Sequence, residues 1–241
     1  AQIVAQSLGV DMADIDVVIG DTSTIPYGMG AASSRQTVTA GSSAQAAAVD
    51  VREKALRVAA HILEASEEDL EISNGRVNVK GVADLSVGLG EIATQLAGAA
   101  TGFALPAGET PGLEAHMAVQ IDGLAFSNGA HVAEIEIDTG TGDIRILNYV
   151  IAHDCGVMVN PLVIDGQVTG GAAHGIGFAM YEKMIWDDQA QPQSTNLAEY
   201  LIAGATEVPN IKIEHIVVPS SQNPLGVKGV GESGLVPVPA A

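Results

Sequence analysis

Asn160-Pro161 opens a segment that reads as a helix to about Tyr181, and five glycines fall inside it: Gly166, Gly170, Gly171, Gly175 and Gly177. Asn is a favoured helix N-cap, and Pro suits the first helical position, where its missing N–H costs nothing. Each glycine weakens a helix by about 1 kcal/mol against alanine. A helix built this way needs something close to its axis, either a neighbouring backbone or a bound ligand. Whatever else the chain does, it must fold so that this close approach is made.

A second glycine-rich stretch closes the chain, GVKGVGESGLVPVPAA, with the single acid Glu232 among Gly229, Gly231 and Gly234. Glycine permits positive φ and close main-chain approach, so the stretch reads as a loop shaped around something. Gly229, Gly231 and Gly234 spell GxGxxG, but a dinucleotide fingerprint needs a strand before it and a helix after it. Pro237 and Pro239 follow instead, so that reading fails. Glu232 is left as either a base or a solvated residue in a turn.

Near the N-terminus an apolar run at residues 15–19 reads as a buried strand entering the loop DTSTIPYGMGAASSRQT. That loop offers backbone N–H groups, hydroxyls and one guanidinium, Arg35, which together suit a phosphate. Residues 37–65 follow as the strongest helix signal. Ala44, Ala48, Val51, Ala55, Val58 and Ile62 form one apolar stripe, and Asp50/Lys54 and Glu53/Arg57 are i,i+4 pairs in the favourable order. The helix start would add its dipole and free N–H groups to the anion-holding loop.

Asn74-Gly75 predicts a two-residue hairpin turn between strands at 70–73 and 76–79, and a short helix is expected at 89–96. The Gly/Ala/Pro-rich segment 98–112 reads as a connection or a pocket-lining loop. Residues 131–138 alternate, with Ala133, Ile135 and Ile137 opposite Glu134, Glu136 and Asp138, which predicts a half-buried strand returning through TGTG. His153, Asp154 and Cys155 have metal-ligand chemistry. Neighbours on a strand point to opposite faces, however, so a buried, satisfied trio is expected instead. A short strand near Met184, a polar loop at 196–200 and a strand over 211–218 complete the chain. The expected fold is α+β, with mixed sheets and packed helices, in a first lobe at 1–97 and a second at 113–241.

With 29 acids against 10 bases the chain carries a formal charge of -19, a poor match for nucleic acid or an anionic membrane surface. No apolar run nears the ~18 residues of a membrane span. One cysteine excludes an internal disulfide framework and fits a reducing, cytoplasmic setting. A first residue other than Met, on what reads as a helix end, and a final Pro-Ala-Ala that reads as a helix beginning give the chain the look of a piece cut from something longer.

Taken in order, GMGAASSRQT, EIEIDTGTGDIRI, HDCGVMVNPLVIDGQVTGGAAHGIG and GVKGVGESG resemble the C-terminal part of the molybdopterin-binding subunit of the molybdenum hydroxylases. That family comprises the large chains of xanthine dehydrogenase, aldehyde oxidoreductase and carbon monoxide dehydrogenase. The likeness covers nearly the whole chain and is nearest to the bacterial heterotrimeric branch. It implies a molybdenum-dependent hydroxylation of an aldehyde, N-heterocycle or similar small molecule with water-derived oxygen, Glu232 serving as the base beside the metal. It implies that Gly30, Ala31, Ala32, Ser33, Ser34 and Arg35 hold the phosphates of a molybdopterin dinucleotide, expected in its cytosine form. Gln167, Lys228 and Gly229 would also line this cofactor, and no protein side chain of this chain is expected to ligate a metal. His174 and Met29 stand where the family usually has Gln, and the family's upstream GGGFG landmark is absent.

The same resemblance implies a hetero-oligomer with iron–sulfur and flavin subunits or domains carrying 2Fe-2S and FAD, together with the remainder of the large subunit. A cluster takes about four cysteines, and this chain has only Cys155. Two other readings stand beside this one: a phosphate- or nucleotide-binding module without catalysis, and an inactive structural relative.

Overall fold

The computed structural model describes residues 1–241 apart from 26, 29, 83, 98–101 and 122. Pro26 and Met29 of the Ser/Gly-rich loop, and the start of the 98–112 segment, therefore lie outside the described residues. The chain divides into two compact units, one of residues 1–29 and 39–120, the other of 30–38 and 121–241. The loop at 30–38, expected within the first lobe, thus belongs with the second unit, and residues up to 120 belong with the first.

The first unit is organised by the long helix α2 (Ser42–Leu63), which continues from a wider π turn at Thr37–Gly41, with the short α1 (Gln2–Leu8) ahead of it. Strands β1 (Leu70–Ser73), β2 (Arg76–Val79) and β3 (Ser86–Gly88) form an antiparallel sheet, and α3 (Leu89–Leu96) follows. The predicted hairpin forms at Asn74-Gly75, both with positive φ, as a two-residue turn matching the strands' twist requires. The expected stripe of α2 buries Ala48, Ala55 and Val58, and the last two join Leu70, Val77, Val87, Ile92 and Leu96 in the core. Phe103 and Leu105 pack on that core, so the described part of 98–112 is packing rather than a bare connection. Arg57 and Lys54 do not use the predicted helical partners. The Arg57 guanidinium pairs with Glu109 at 2.6 Å, and Lys54 Nζ donates to Thr110 Oγ1 at 3.1 Å. A tertiary partner held in place outcompetes an i,i+4 pair worth only ~0.3–0.5 kcal/mol.

Two expected strands do not form. Residues 15–19 are extended but unpaired among the described residues, with Val17, Val18 and Ile19 60–81% exposed. An apolar run becomes a strand only beside a ladder partner, and the described residues supply none. Around Met184 there is one isolated bridge, Trp186 to Pro192, in an exposed loop.

The second unit holds a three-stranded sheet, β4 (Asn128–Ile137), β5 (Ile144–Asp154) and β6 (Ile211–His215), in that order, covered by α4 (Pro161–Met180). β4 and β5 form the predicted hairpin with a bulge at Glu134/Ile135, and β6 runs parallel to β5. Ile135 and Ile137 stand 45% and 52% exposed, so the expected half-buried face ends at the bulge. On β5 the buried row is Tyr149, Ile151 and His153, every second residue, as one face of a strand demands. The expected strand over 211–218 stops at His215, because Val218 N–H donates to the Asp154 carboxylate instead of continuing the ladder.

α4 starts as its sequence dictates, with the Asn160 side chain accepting from Val163 N–H and Pro161 at the first position. Its glycines divide into three kinds, of which Gly177 is one, a Cβ there meeting the Glu182 carboxylate at 2.6 Å. A Cβ at Gly171 would lie 3.0 Å from the backbone of Gly234 and Leu235, and one at Gly175 would lie 2.6 Å from Val238. The close approach predicted for this helix is therefore made by the glycine-rich terminus itself. Gly166 and Gly170 face open space.

Candidate functional site

The terminal stretch is threaded between α4 and the loop at 30–38, all within the second unit. None of Gly229, Gly231 and Gly234 has positive φ; each is required by proximity instead. A Cβ at 229 would come within 2.8 Å of Ser34 Cβ, and one at 231 within 3.1 Å of Ser34 Oγ and 3.6 Å of Gln167 Nε2. A Cβ at 234 would overlap the Val168 carbonyl oxygen of α4. The turn through Glu232 is thus clamped on one side by the serine loop and on the other by the helix.

That loop is held in an uncommon conformation. Ser33 and Ser34 both have φ of 52° and Gly30 has φ of 67°. Left-handed non-glycine residues cost of order 1 kcal/mol each and gather at ligand clamps and active sites. Successive turns of this kind direct main-chain N–H groups to one side, which is a way of receiving an anion. Ser34 Oγ donates to Glu232 Oε2 at 2.9 Å, so the acid is oriented rather than unpaired, while remaining exposed. Glu232, Ser33, Ser34 and Gly229 line a cleft of about 430 Å³, together with Phe126, Asn128, His131, His153, Ser233 and Val236.

The structure brings Ser34, Gly229, Gln167 and Glu232 together and gives Lys228 other employment. Its ammonium lies 2.5 Å from Asp154 Oδ2, with both side chains about nine-tenths buried. Lys228 is therefore a strut joining the end of β5 to the glycine-rich turn. Asp154 also accepts from Gly156 N–H at 2.8 Å. Burial works to raise its pKa, but the Lys228 hydrogen bond and the N–H donors of Gly156 and Val218 outweigh it and leave it below the usual carboxylate range. The Cys155 thiol is buried and pushed up, chiefly by burial, so it stays protonated and inert.

His131 and His153 are cleft residues that the sequence did not single out as such. Burial lowers the pKa of each, and His131 Nδ1 sits 3.1 Å from the Tyr149 hydroxyl. The buried trio was expected to be satisfied, and Asp154 is, but His153 Nδ1 has no partner among the described residues. The period-two row of β5 was the available signal that His153 shares a face with Tyr149 and Ile151. No helix among the described residues is long and apolar enough to cross a membrane.

A glycine-clamped turn carrying one oriented acid, facing a serine loop in left-handed conformation, defines an α+β unit with a carboxylate held at the rim of a cleft. Residues 1–209 match the profile of the molybdopterin cofactor-binding domain, and the chain belongs to that family, the molybdenum hydroxylases. It is 36% identical over 241 residues to the nicotine 6-hydroxylase large subunit of Paenarthrobacter nicotinovorans, and 37% identical over 233 residues to the carbon monoxide dehydrogenase large chain of Hydrogenophaga pseudoflava. These alignments cover 100% and 97% of this chain but 29% and 28% of the relatives. The crystal structure of quinoline 2-oxidoreductase from Pseudomonas putida 86 superposes with a TM-score of 0.88 at 38% identity, over 99% of this chain and 30% of that one. The chain therefore spans under a third of the length of the relatives it matches.

Proposed function

We propose that this chain forms the Glu232-bearing part of the catalytic subunit of a molybdenum-dependent hydroxylase acting on an aldehyde, N-heterocycle or similar small molecule. The observation that carries the reading is the clamp around Glu232: three glycines at van der Waals limit with Ser34 and Val168, and a hydrogen bond from Ser34, hold one carboxylate at the rim of a cleft. The local donor set suits the cofactor that the family binds. Main-chain N–H groups and hydroxyls at Gly30, Ala31, Ala32, Ser33 and Ser34, with the Arg35 guanidinium, are phosphate-holding chemistry in a chain otherwise strongly acidic. Gln167 and the bare backbone at Gly229 extend that surface.

When bound, the molybdenum cofactor supplies a Lewis acid that activates water-derived oxygen and a two-electron acceptor. The work of this chain's own residues is positional and acid–base. Glu232 accepts a proton on the oxygen not engaged by Ser34, and Ser34 holds the carboxylate's rotamer while it does so. Phe126 and Val236 give the cleft apolar walls that favour a flat, uncharged substrate. The cytosine dinucleotide form, 2Fe-2S and FAD on partner subunits, a cytoplasmic hetero-oligomer and the division into two cofactor-binding lobes belong to the same proposal. Names such as "large subunit" and "large chain" among the relatives support the hetero-oligomer, and the rest follows from the family resemblance.

The test is Glu232→Gln in the assembled enzyme. It keeps the Ser34 contact and removes the base, so turnover should fall by about 10²–10⁴ with molybdenum content unchanged. Near-normal rates at equal metal loading would refute the role.

A further inference from the structure

His153 and His215 are register partners across the parallel β5–β6 pair, and their rings meet edge to face with centroids 5.8 Å apart. Each ring spends its Nε2 on a defined partner. His153 Nε2 lies 2.7 Å from Ser233 Oγ, and His215 Nε2 lies 2.7 Å from Asp165 Oδ1 on α4. Each Nδ1 is buried with no hydrogen-bond partner among the described residues, and His153 as a whole is 2% exposed.

The protons can be assigned. A serine hydroxyl has one hydrogen, and Ser233 gives it to the Val230 carbonyl at 3.0 Å. With the hydroxyl hydrogen assigned to Val230, Ser233 Oγ is the acceptor toward His153 and Nε2 carries the ring hydrogen. The Asp165 carboxylate only accepts, so His215 Nε2 carries its hydrogen too. Both Nδ1 atoms are then buried lone pairs. Two lone pairs call for one molecule with two donors, since a buried acceptor left unmet forfeits the hydrogen bonds it had in water. Among the described residues no three His, Cys, Asp or Glu side chains are arranged to hold a metal ion. We propose that a single buried water donates to both Nδ1 atoms, and that through it His153 is a positioning residue for the Glu232 turn. The connection runs Asp165, His215, water, His153, Ser233 and the Val230 carbonyl, tying α4 to both sides of the residue next to Glu232.

The surroundings of His153 favour its neutral ring. His153 is lowered by burial, then by His215, with Asp154 opposing and His131 adding slightly. Asp165 from α4 faces His215, and Lys228 compensates Asp154. Protonating either ring would convert an acceptor into a donor and turn the water against it.

The positioning role rests on Glu232 being the base, whereas the water site does not. A crystal structure of the cofactor-loaded complex should hold a water about 2.7–3.2 Å from both Nδ1 atoms. A metal ion there, a side chain from elsewhere in the longer polypeptide, or nitrogens that share no partner would overturn the site. His153→Gln keeps an N–H for Ser233, and His153→Leu keeps none. The Leu variant should lose about 10²-fold in kcat at unchanged KM and molybdenum content, with Gln within roughly tenfold of wild type. A Gln variant that loses as much as 10²-fold, or a loss carried by KM, overturns the positioning role even where Leu fails to fold. An active Glu232→Gln enzyme would remove the proposed function and leave the water in place. An inactive one without the water would remove only this inference.

Discussion

Gly234→Ala isolates the packing that places the acid. Gly234 has no positive φ, so alanine meets no conformational penalty there, and the whole effect is steric. The new methyl would overlap the Val168 carbonyl oxygen and lie 3.0 Å from that residue's carbonyl carbon and Cα. These are main-chain atoms of α4, whose Val168 side chain is fully buried, so neither side can yield as a flexible side chain would. Overpacking a tight core costs about 1–3 kcal/mol, and a backbone obstacle puts this case at the upper end. At roughly 2–4 °C per kcal/mol for a domain of this size, the unfolding midpoint of the assembled protein should fall by about 6–12 °C. Gly90→Ala is the control. It lies at an exposed position of α3 with nothing within 4 Å, and should be neutral or stabilising by under about 1 kcal/mol. The measurement is calorimetry of both variants, with molybdenum content of the folded fraction. A Gly234→Ala protein melting with wild type would mean that the terminal turn does not seat on α4 as described.

The other predictions are shorter. Lys228→Met should destabilise by about 3–5 kcal/mol, because it leaves the Asp154 charge buried without its cation; denaturant titration at pH 7 reads it. Asp154 has a lowered folded pKa, so its contribution is present above its ordinary value near 3.9 and is lost as pH falls through the folded value. The stability gap between wild type and Lys228→Met should accordingly be widest near neutral pH and narrow as pH falls through the folded value of Asp154, and a gap independent of pH would contradict the strut. Residues 1–241 expressed alone should bind no stoichiometric molybdopterin and oxidise neither aldehyde nor heterocycle in a dye-linked assay, since they span 28–29% of relatives such as those compared here. Full loading with turnover from this chain by itself would refute that.

Local rules carried much of the fold. Asn160-Pro161 set the start of α4, Asn74-Gly75 set a hairpin, and the stripe on α2 set its buried face, because capping, turn geometry and helical period act within a few residues. The sequence also carried the family, through four motifs in order, and it demanded that something approach the glycine-rich helix. What that something is took the tertiary structure to decide: the chain's own terminus at Gly171 and Gly175, and open space at Gly166 and Gly170. The Lys228–Asp154 pair became visible only once the fold brought the two residues together, and residues 15–19 looked like a buried strand until no neighbour appeared among the described residues. Ser34 beside Glu232 joins residues 198 positions apart, and His153 beside His215 is a matter of parallel register. Burial, pairing and proton assignment depend on neighbours that lie far apart along the chain, so composition and periodicity cannot supply them.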